Sequence, residues 1–567
     1  MKAIIFDLDD TLYDCTGSHL AASRKRLAKA MVQTGLPCTE EEAYLMQEKL
    51  SEKYGPPYQV ITEMAKMFEL DNEFIKNASN AYNSNEISDI KLFPDVIPTL
   101  KELARENYML FLLSTGIHER QQKKVEILEL EPYFDEIIIN DQEVGLLIKD
   151  CFKMVLKKYQ LNPKHVVVVG DRVKVELKIA KSFGMTTIQM LHGRFKVETA
   201  SDFVNKPDYK IKRIFQLPTV LKLKSMKKTR DNLKIVAIGG GTGLPIALEG
   251  LKTYSENLTA IVTVTDSGRS SGIIREQYGI LPPGDARNCL VALSETEEQE
   301  DIYRLFQYRF NKGTLNGMSL GNLLMTALTD ITGSFELAIK KASEILSIKG
   351  KVLPSMLTST HICAQLEDGT IVEEEFNVRA PQKSPIEKLF LRSNNIECPQ
   401  EAISEIRQAD VVIIGPGSLY TSIISNLLVE DIKESLKKTK AVKIYVCNIV
   451  TQPGQTDNYT ASDCVKAVIK YLGEGILDYV LINNNFPNEN VLKKYRKEGA
   501  EIITIDKDLA DINVKVGTED LIENIDADRI LWEKQDLIRH DPDKLANSLC
   551  KLYSDALLQK NNTIIRP

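Results

Sequence analysis

The sequence predicts an α/β protein made of two tandem Rossmann-like, three-layer domains with parallel sheets, the first carrying a helical cap insertion. Three observations predict it. Apolar runs of three to five residues (3–6, 109–113, 166–169, 235–238, 411–414 and 444–446) alternate with helix-forming stretches, as strands buried on both faces of a parallel sheet do. The chain has 567 residues, too many for one ordinary core. A basic run in 221–232 (LKLKSMKKTRDN), with Lys222, Lys224, Lys227, Lys228 and Arg230 and no periodic apolar face, reads as a solvated tether between two modules.

Each element follows from that division. Residues 1–220 form the first module, 221–232 the linker and 233–567 the second module. The strand–helix alternation stops over about 15–90, where charged segments place apolar residues at helical spacing, as in 21–35 and 40–53. A helical insertion therefore follows the first strand.

Composition removes several classes of function. Hydrophobic residues make up 43% and charged residues 27%, the balance of a globular chain. No run of about 18 apolar residues occurs, and MKAIIFDLDDTL predicts neither signal peptide nor anchor, so no membrane insertion is expected. Nine scattered cysteines without a Cys-x-x-Cys pair argue against zinc ribbons and disulfides and for reduced thiols in a cytoplasm. Six histidines in no ligand cluster argue against a zinc hydrolase, and a net charge of −7 leaves no basic footprint for nucleic acid. A homo-oligomer is compatible with the sequence.

The first strand delivers Asp7-Leu8-Asp9-Asp10-Thr11 at its carboxyl end, where ligands collect on an open parallel sheet. Strand periodicity puts Asp7 and Asp9 on one face, and two crowded carboxylates are relieved by a hard cation such as Mg²⁺. One Asp can then attack phosphorus while its neighbour moves the leaving group's proton. Ser114-Thr115-Gly116 follows the strand at 109–113, and its hydroxyl can donate to a phosphoryl oxygen. Lys149 opens a helical run able to neutralise transition-state charge. Gly170-Asp171-Arg172 follows the strand at 166–169.

Over about 1–215 this order resembles the haloacid dehalogenase (HAD) superfamily. The helical insertion is similar to the cap of phosphoglycolate phosphatases and pyrimidine nucleotidases. The resemblance implies Asp7 as the nucleophile forming an aspartyl-phosphate. It implies Asp9 as general acid/base with its backbone carbonyl on Mg²⁺, Ser114 and Lys149 as phosphate binders, and Asp171 as a metal ligand. Where the family usually has a further Asp, this chain has Glu176, whose longer carboxylate would reach the metal directly or through water. The expected substrate is a small phosphorylated metabolite, and a non-catalytic HAD scaffold is the alternative.

In the second module the strand at 233–238 runs into Gly239-Gly240-Gly241-Thr242-Gly243 and a helical run. Glycines admit a phosphate to the backbone, and a helix N-terminus offers free N–H groups. Without Gly-Lys-Ser/Thr it is not a P-loop NTPase. Further loops offer backbone donors, hydroxyls and amides: Asp266, Arg269, Ser270 and Ser271; Gly284, Asp285 and Asn288; Ser319 and Asn322; Gly415, Gly417 and Ser418; and Asn448. The mix suits binding a nucleotide diphosphate better than attacking one.

Over about 233–555, the segments GGGTGLPIALEGLK, GILPPGDARNCLVAL, SLGNLL, DVVIIGPGSLYTSIISNLLV, CNIVTQPGQTD and LIRHDPDKLA closely resemble the YvcK family, often labelled gluconeogenesis factors, within the CofD-like superfamily. The resemblance implies binding of a UDP-sugar such as UDP-GlcNAc and links to cell-envelope shape and gluconeogenic growth. CofD relatives instead transfer 2-phospho-L-lactate with Mg²⁺, so a CofD-like transferase with an attached phosphatase is the alternative. Two departures favour binding. Ser267 and Arg269 stand where the family usually has Asp and Gly, and Met318 replaces a loop His.

Overall fold

The computed structural model describes the chain except residues 1, 55–56, 83–85, 88, 142–146, 201–202, 268, 295–299, 488, 524–537 and 565–567; for 52–54, 57, 203, 269–270, 300 and 561–564 it describes the backbone alone. Contacts divide it into two units, Met1–Pro218 and Thr219–Pro567.

The first unit is built on six strands: β1 (Lys2–Phe6), β2 (Tyr108–Gly116), β3 (Glu136–Asp141), β4 (Val166–Gly170), β5 (Thr186–Met190) and β6 (Tyr209–Ile211). They pair in parallel in the order β3-β2-β1-β4-β5-β6. Runs such as Ala-Ile-Ile-Phe in β1 and Val-Val-Val-Val in β4 are buried throughout, because a central parallel strand is covered on both faces. The chain order reverses beside β1, so a crevice opens at the carboxyl ends of β1 and β4, the position where open α/β sheets hold ligands. After β1 come the helices Ala21–Gln33, Glu40–Tyr54, Pro57–Met67 and Asn72–Tyr82. Leu27, Met31, Val60, Ile61, Met64 and Phe74 give this cap a core of its own.

The second unit places β7 (Lys234–Gly239), β8 (Asn257–Val262), β9 (Lys351–Pro354), β13 (Val411–Ile414), β14 (Val442–Val446), β15 (Tyr479–Asn483) and β16 (Lys515–Glu519) in one parallel sheet, ordered β16-β15-β14-β13-β7-β8-β9. Its reversal falls between β7 and β13, so the glycine loops that follow those two strands face one crevice. A small antiparallel sheet, β11-β10-β12, interrupts the parallel order. It is formed by β10 (Ile362–Leu366), β11 (Ile371–Glu373) and β12 (Ile386–Leu391). Sequence patterning did not separate these strands from loops, because β11 is three residues long and mostly exposed.

The tether expected at 221–232 is not a tether. Leu217–Ser225 is helical, and Val220, Leu221 and Leu223 are buried. The basic side chains are paired within the second unit: Lys222 with Asp555 (2.5 Å), Lys228 with Asp410 (2.6 Å) and Arg230 with Glu256 (3.5 Å). A charge run reads as solvated only while its counter-charges, 180 and more residues away for Asp410 and Asp555, are unseen. Among the described residues no helix is long and apolar enough to cross a membrane.

Candidate functional sites

In the first unit the turn after β1 is tied to β4 by the Asp7 amide, which donates to the Val169 carbonyl (2.9 Å). Asp7, Asp171 and Glu176 meet there. Gly170 lets them meet: a Cβ at that position would lie 3.0 Å from Glu176 Oε1 and 3.4 Å from Asp7 Cβ. Glu176 is fixed by the Arg172 amide, which donates to Oε1 (2.7 Å). Burial, then the charges of Glu176, Asp171 and Asp9, push the Asp7 carboxyl well above its ordinary range. Burial and Glu176 push Asp171 up to about 8, and burial pushes Glu176 up to about 7. Asp171 is 2% exposed and its Oδ1 has no hydrogen-bond partner among the described residues. An orphaned buried carboxylate oxygen beside two further acids is a donor set that fits a hard divalent cation.

Asp9 is placed differently. Tyr13 donates to its Oδ1 (2.6 Å), Gln121 to its Oδ2 (3.2 Å), and the Lys124 ammonium to both (2.7 and 2.9 Å). Burial alone would raise the Asp9 carboxyl, but the Lys124 charge and these hydrogen bonds hold it below its usual value. These contacts take up the Asp9 side chain, the group expected as general acid/base, while the metal contact expected of Asp9 is its backbone carbonyl.

Ser114 is buried within β2, which runs on to Gly116, and it is Thr115 that lines the small cavity beside Asp7, with Ile148, Arg172 and Glu176. Lys149, expected to bind phosphate, is exposed on the first turn of the helix Ile148–Lys158 and pairs with no carboxylate among the described residues. The helix starts one residue earlier than expected, and the residue it turns towards the cavity is Ile148. Asp10, Asp14 and His192, and not the Asp7 group, are the acids and histidine among the described residues whose ligand atoms all lie within 4.8 Å of one another, although Asp10 already accepts from Thr16 N (2.8 Å) and Oγ1 (2.5 Å).

The second unit holds a cavity of about 860 Å³ at its switch point. Gly241, Thr242 and Gly243 from the β7 loop and Gly417 and Ser418 from the β13 loop line it, as do Asp266, Ser271, Gly284, Asp285, Asn288, Asn322 and Asn448. Gly239, Gly240, Gly415 and Ser319 support it from behind. A Cβ on Gly240 would collide with Asp285, and one on Gly239 would lie 3.3 Å from the Pro416 carbonyl. Ser319 caps the helix Leu320–Thr332 and accepts from Arg287 (2.5 Å). The side chains of Arg269 and Ser270 lie outside the described residues.

The two glycine loops are in direct contact. A Cβ on Gly243 would sit 2.8 Å from the Pro416 carbonyl, and Asn448 Nδ2 donates to the Gly417 carbonyl (2.7 Å). Asp285 Oδ2 accepts from the Gly241 amide (2.8 Å), which fixes the first loop. The helix Gly243–Leu251 points its N-terminus at this crevice, and the buried Thr421, whose Oγ1 has no hydrogen-bond partner among the described residues, lines it.

Sequence reading missed the charged residues that arrive from elsewhere. Arg287, Arg309, Arg379 and Glu375 all line the cavity. Glu375 accepts from the Ser267 amide (3.3 Å), and burial together with Asp266 pushes its carboxyl up to about 8; burial and Asp266 push Asp285 to about 7. No local pattern marks Glu375, which sits in an acidic run beside an unforeseen strand.

The comparisons with known proteins follow the same division. The family described as haloacid dehalogenase-like hydrolase matches residues 4–190, and that described as 2-phospho-L-lactate transferase CofD matches 235–522. The gluconeogenesis factor of Bacillus subtilis is 44% identical over 324 residues, covering 57% of this chain and 98% of that protein. That of Halalkalibacterium halodurans is 43% identical over 316 residues, covering 56% of this chain and 95% of its own. A crystal structure of a UPF0052-family protein from Bacillus halodurans is 41% identical, covers 56% of this chain and 99% of its own, and has a TM-score of 0.53.

Proposed function

The chain belongs to the CofD-related gluconeogenesis-factor family and carries a haloacid dehalogenase-like hydrolase domain ahead of it; from that premise we propose that the first module is a Mg²⁺-dependent phosphatase of a small phosphorylated metabolite and the second binds a UDP-sugar without turning it over. The observation that carries the first half is the unpartnered Asp171 Oδ1 beside Asp7 and Glu176 at the sheet's reversal point. Asp7, Asp171, Glu176 and the Asp9 backbone carbonyl would hold the metal. When bound, it neutralises their charge and polarises the phosphoryl group. An Asp7 oxygen attacks phosphorus, the bond from phosphorus to the leaving oxygen breaks, and that oxygen takes up a proton from the Asp9 side chain. Water, giving a proton back to the Asp9 carboxylate, then cleaves the aspartyl-phosphate at phosphorus, returning the Asp7 carboxylate and releasing inorganic phosphate. Asp7→Asn removes the attacking oxygen without changing shape. Phosphate release from p-nitrophenyl phosphate and sugar phosphates with Mg²⁺ should drop to background in this variant, and undiminished release would exclude the assignment.

The second half rests on backbone N–H groups, hydroxyls and arginines converging on one cavity with the N-terminus of the helix Gly243–Leu251. One observation favours the transferase reading as well. Glu375 stands against the Ser267 amide near Asp266 and Asp285, so the acid missing at 267 is answered from another element. Thermal shift discriminates. UDP-GlcNAc should raise the melting temperature of the full chain, and stabilisation by GDP or GTP alone would transfer support to the CofD-like reaction.

A further inference from the structure

One arrangement in the first unit stands outside the metal-facing acids. A lysine is buried in the first unit where the sequence gives no reason for one. Lys124 lies in the helix His118–Ile127, 2% exposed, while its neighbour Lys123 is exposed. A buried ammonium is tolerated only when paired, and this one spans both oxygens of Asp9 at 2.7 and 2.9 Å. Tyr13 and Gln121, also buried, add donors at 2.6 and 3.2 Å. A carboxylate has about four acceptor positions, and these four contacts fill them. The side chain of Asp9 is thereby held in one orientation by Tyr13 and by Gln121 and Lys124 of the helix His118–Ile127, and its charge still acts on Asp7. Meanwhile Lys149 stands exposed.

We infer that Lys124, not Lys149, is the lysine on which the first module's reaction depends, and that it acts as a positioning residue by holding Asp9 beside the nucleophile. The inference rests on the phosphatase reading above, which assigns Asp9 a part in the reaction. The geometry that carries it is independent of that reading: one buried cation, one acid, two flanking donors.

The test compares Lys124→Met, Lys124→Arg, Lys149→Met and Lys123→Met in the full-length chain, with p-nitrophenyl phosphate and Mg²⁺. Lys124→Met should lower kcat by about 100-fold and leave KM within about threefold, because a group acting through Asp9 does not hold substrate. Lys124→Arg keeps the charge and should recover at least about tenfold of that loss. A larger loss in Lys149→Met than in Lys124→Met would overturn the inference, as would a Lys124→Met loss no greater than that of Lys123→Met. If Lys124→Met does not fold, Tyr13→Phe and Gln121→Leu each remove one Asp9 donor with the lysine kept. Each should lower kcat with little change in KM, and unchanged kcat in both would count against the inference. If the wild-type chain and Asp7→Asn are alike inactive on every phosphoester, the phosphatase reading fails on its own. Lys124 is then judged by reductive methylation read by mass spectrometry. Protection in the wild type with exposure in Asp9→Asn supports the pair, and labelling of wild-type Lys124 as fast as Lys123 refutes it.

Discussion

A single methyl group tests the second site at the scale of a residue. Gly243 opens the helix Gly243–Leu251 at the point where the β7 loop meets the β13 loop, and its missing Cβ leaves 2.8 Å to the carbonyl carbon and oxygen of Pro416. Both atoms are backbone, so neither can swing away. Gly243→Ala should therefore separate the two loops, cost about 1–3 kcal/mol of stability and weaken UDP-GlcNAc binding by at least about tenfold, an increment of about 1.4 kcal/mol. Calorimetric titration of the variant checks it, and wild-type affinity would mean that the ligand does not use this junction. Asp7 and Asp171 were legible in the sequence because each occupies the residue or two after an apolar strand, and Gly243 because it ends the glycine run between a strand and a helix, where chemistry and topology coincide. Lys124 was not. In HERQQKKVEI it is one of two adjacent lysines, and hydrophobic periodicity counts both as surface. Lys149 was misplaced for the complementary reason: a lysine at a helix start resembles a phosphate ligand until the fold shows which residue of the turn faces inward.

At the scale of elements, the turns after β1 and β4 bury three carboxylates at one crevice, and this has a pH signature. Asp7 is held well above the ordinary carboxylate range, Asp171 at about 8 and Glu176 at about 7, burial being the largest cause for each. The folded state thus binds more protons than the unfolded state from about pH 4 to about pH 8, and stability falls as pH rises through that window. His19 opposes this at the acid end. Burial lowers it to about 4, so its contribution rises with pH up to about 6.5. Between pH 6.5 and 8 the acids act alone. In EDTA, melting of the first module should fall across that interval. Mg²⁺, which binds the ionised acids, should stabilise more at pH 8 than at 6.5. Asp171→Asn should flatten the slope and shrink the Mg²⁺ increment. Equal Mg²⁺ shifts at the two pH values would show that the ion binds elsewhere. Elements of this kind were readable where they are long or fully buried. The parallel strands and the cap helices follow from apolar runs and helical spacing. The sheet of β10, β11 and β12 escaped because its flanking strands, β11 of three mostly exposed residues and β12 half-exposed, carry neither signal, and with it escaped Glu375.

At the scale of the molecule, two α/β modules on one chain raise the effective concentration of each site at the other without requiring any shared chemistry. What would make the fusion regulatory is a coupling free energy, and coupling between binding sites is reciprocal. Beryllofluoride, as a phosphoryl mimic on Asp7, and UDP-GlcNAc in the glycine-loop cavity provide two ligands for that measurement. The affinity for UDP-GlcNAc should change by at least about fivefold, roughly 1 kcal/mol, when the mimic saturates the first module with Mg²⁺. The mimic's affinity should change by the same factor when UDP-GlcNAc is saturating. Asp7→Asn should remove the first effect and leave basal UDP-GlcNAc affinity intact, since Asp7 lies outside the second cavity; Gly243→Ala should remove the second. Sequence could place both sites but could not address this, because no residue pattern encodes a difference in affinity between two states. Two titrations that each ignore the other ligand would establish the modules as independent, joined for co-expression and not for control.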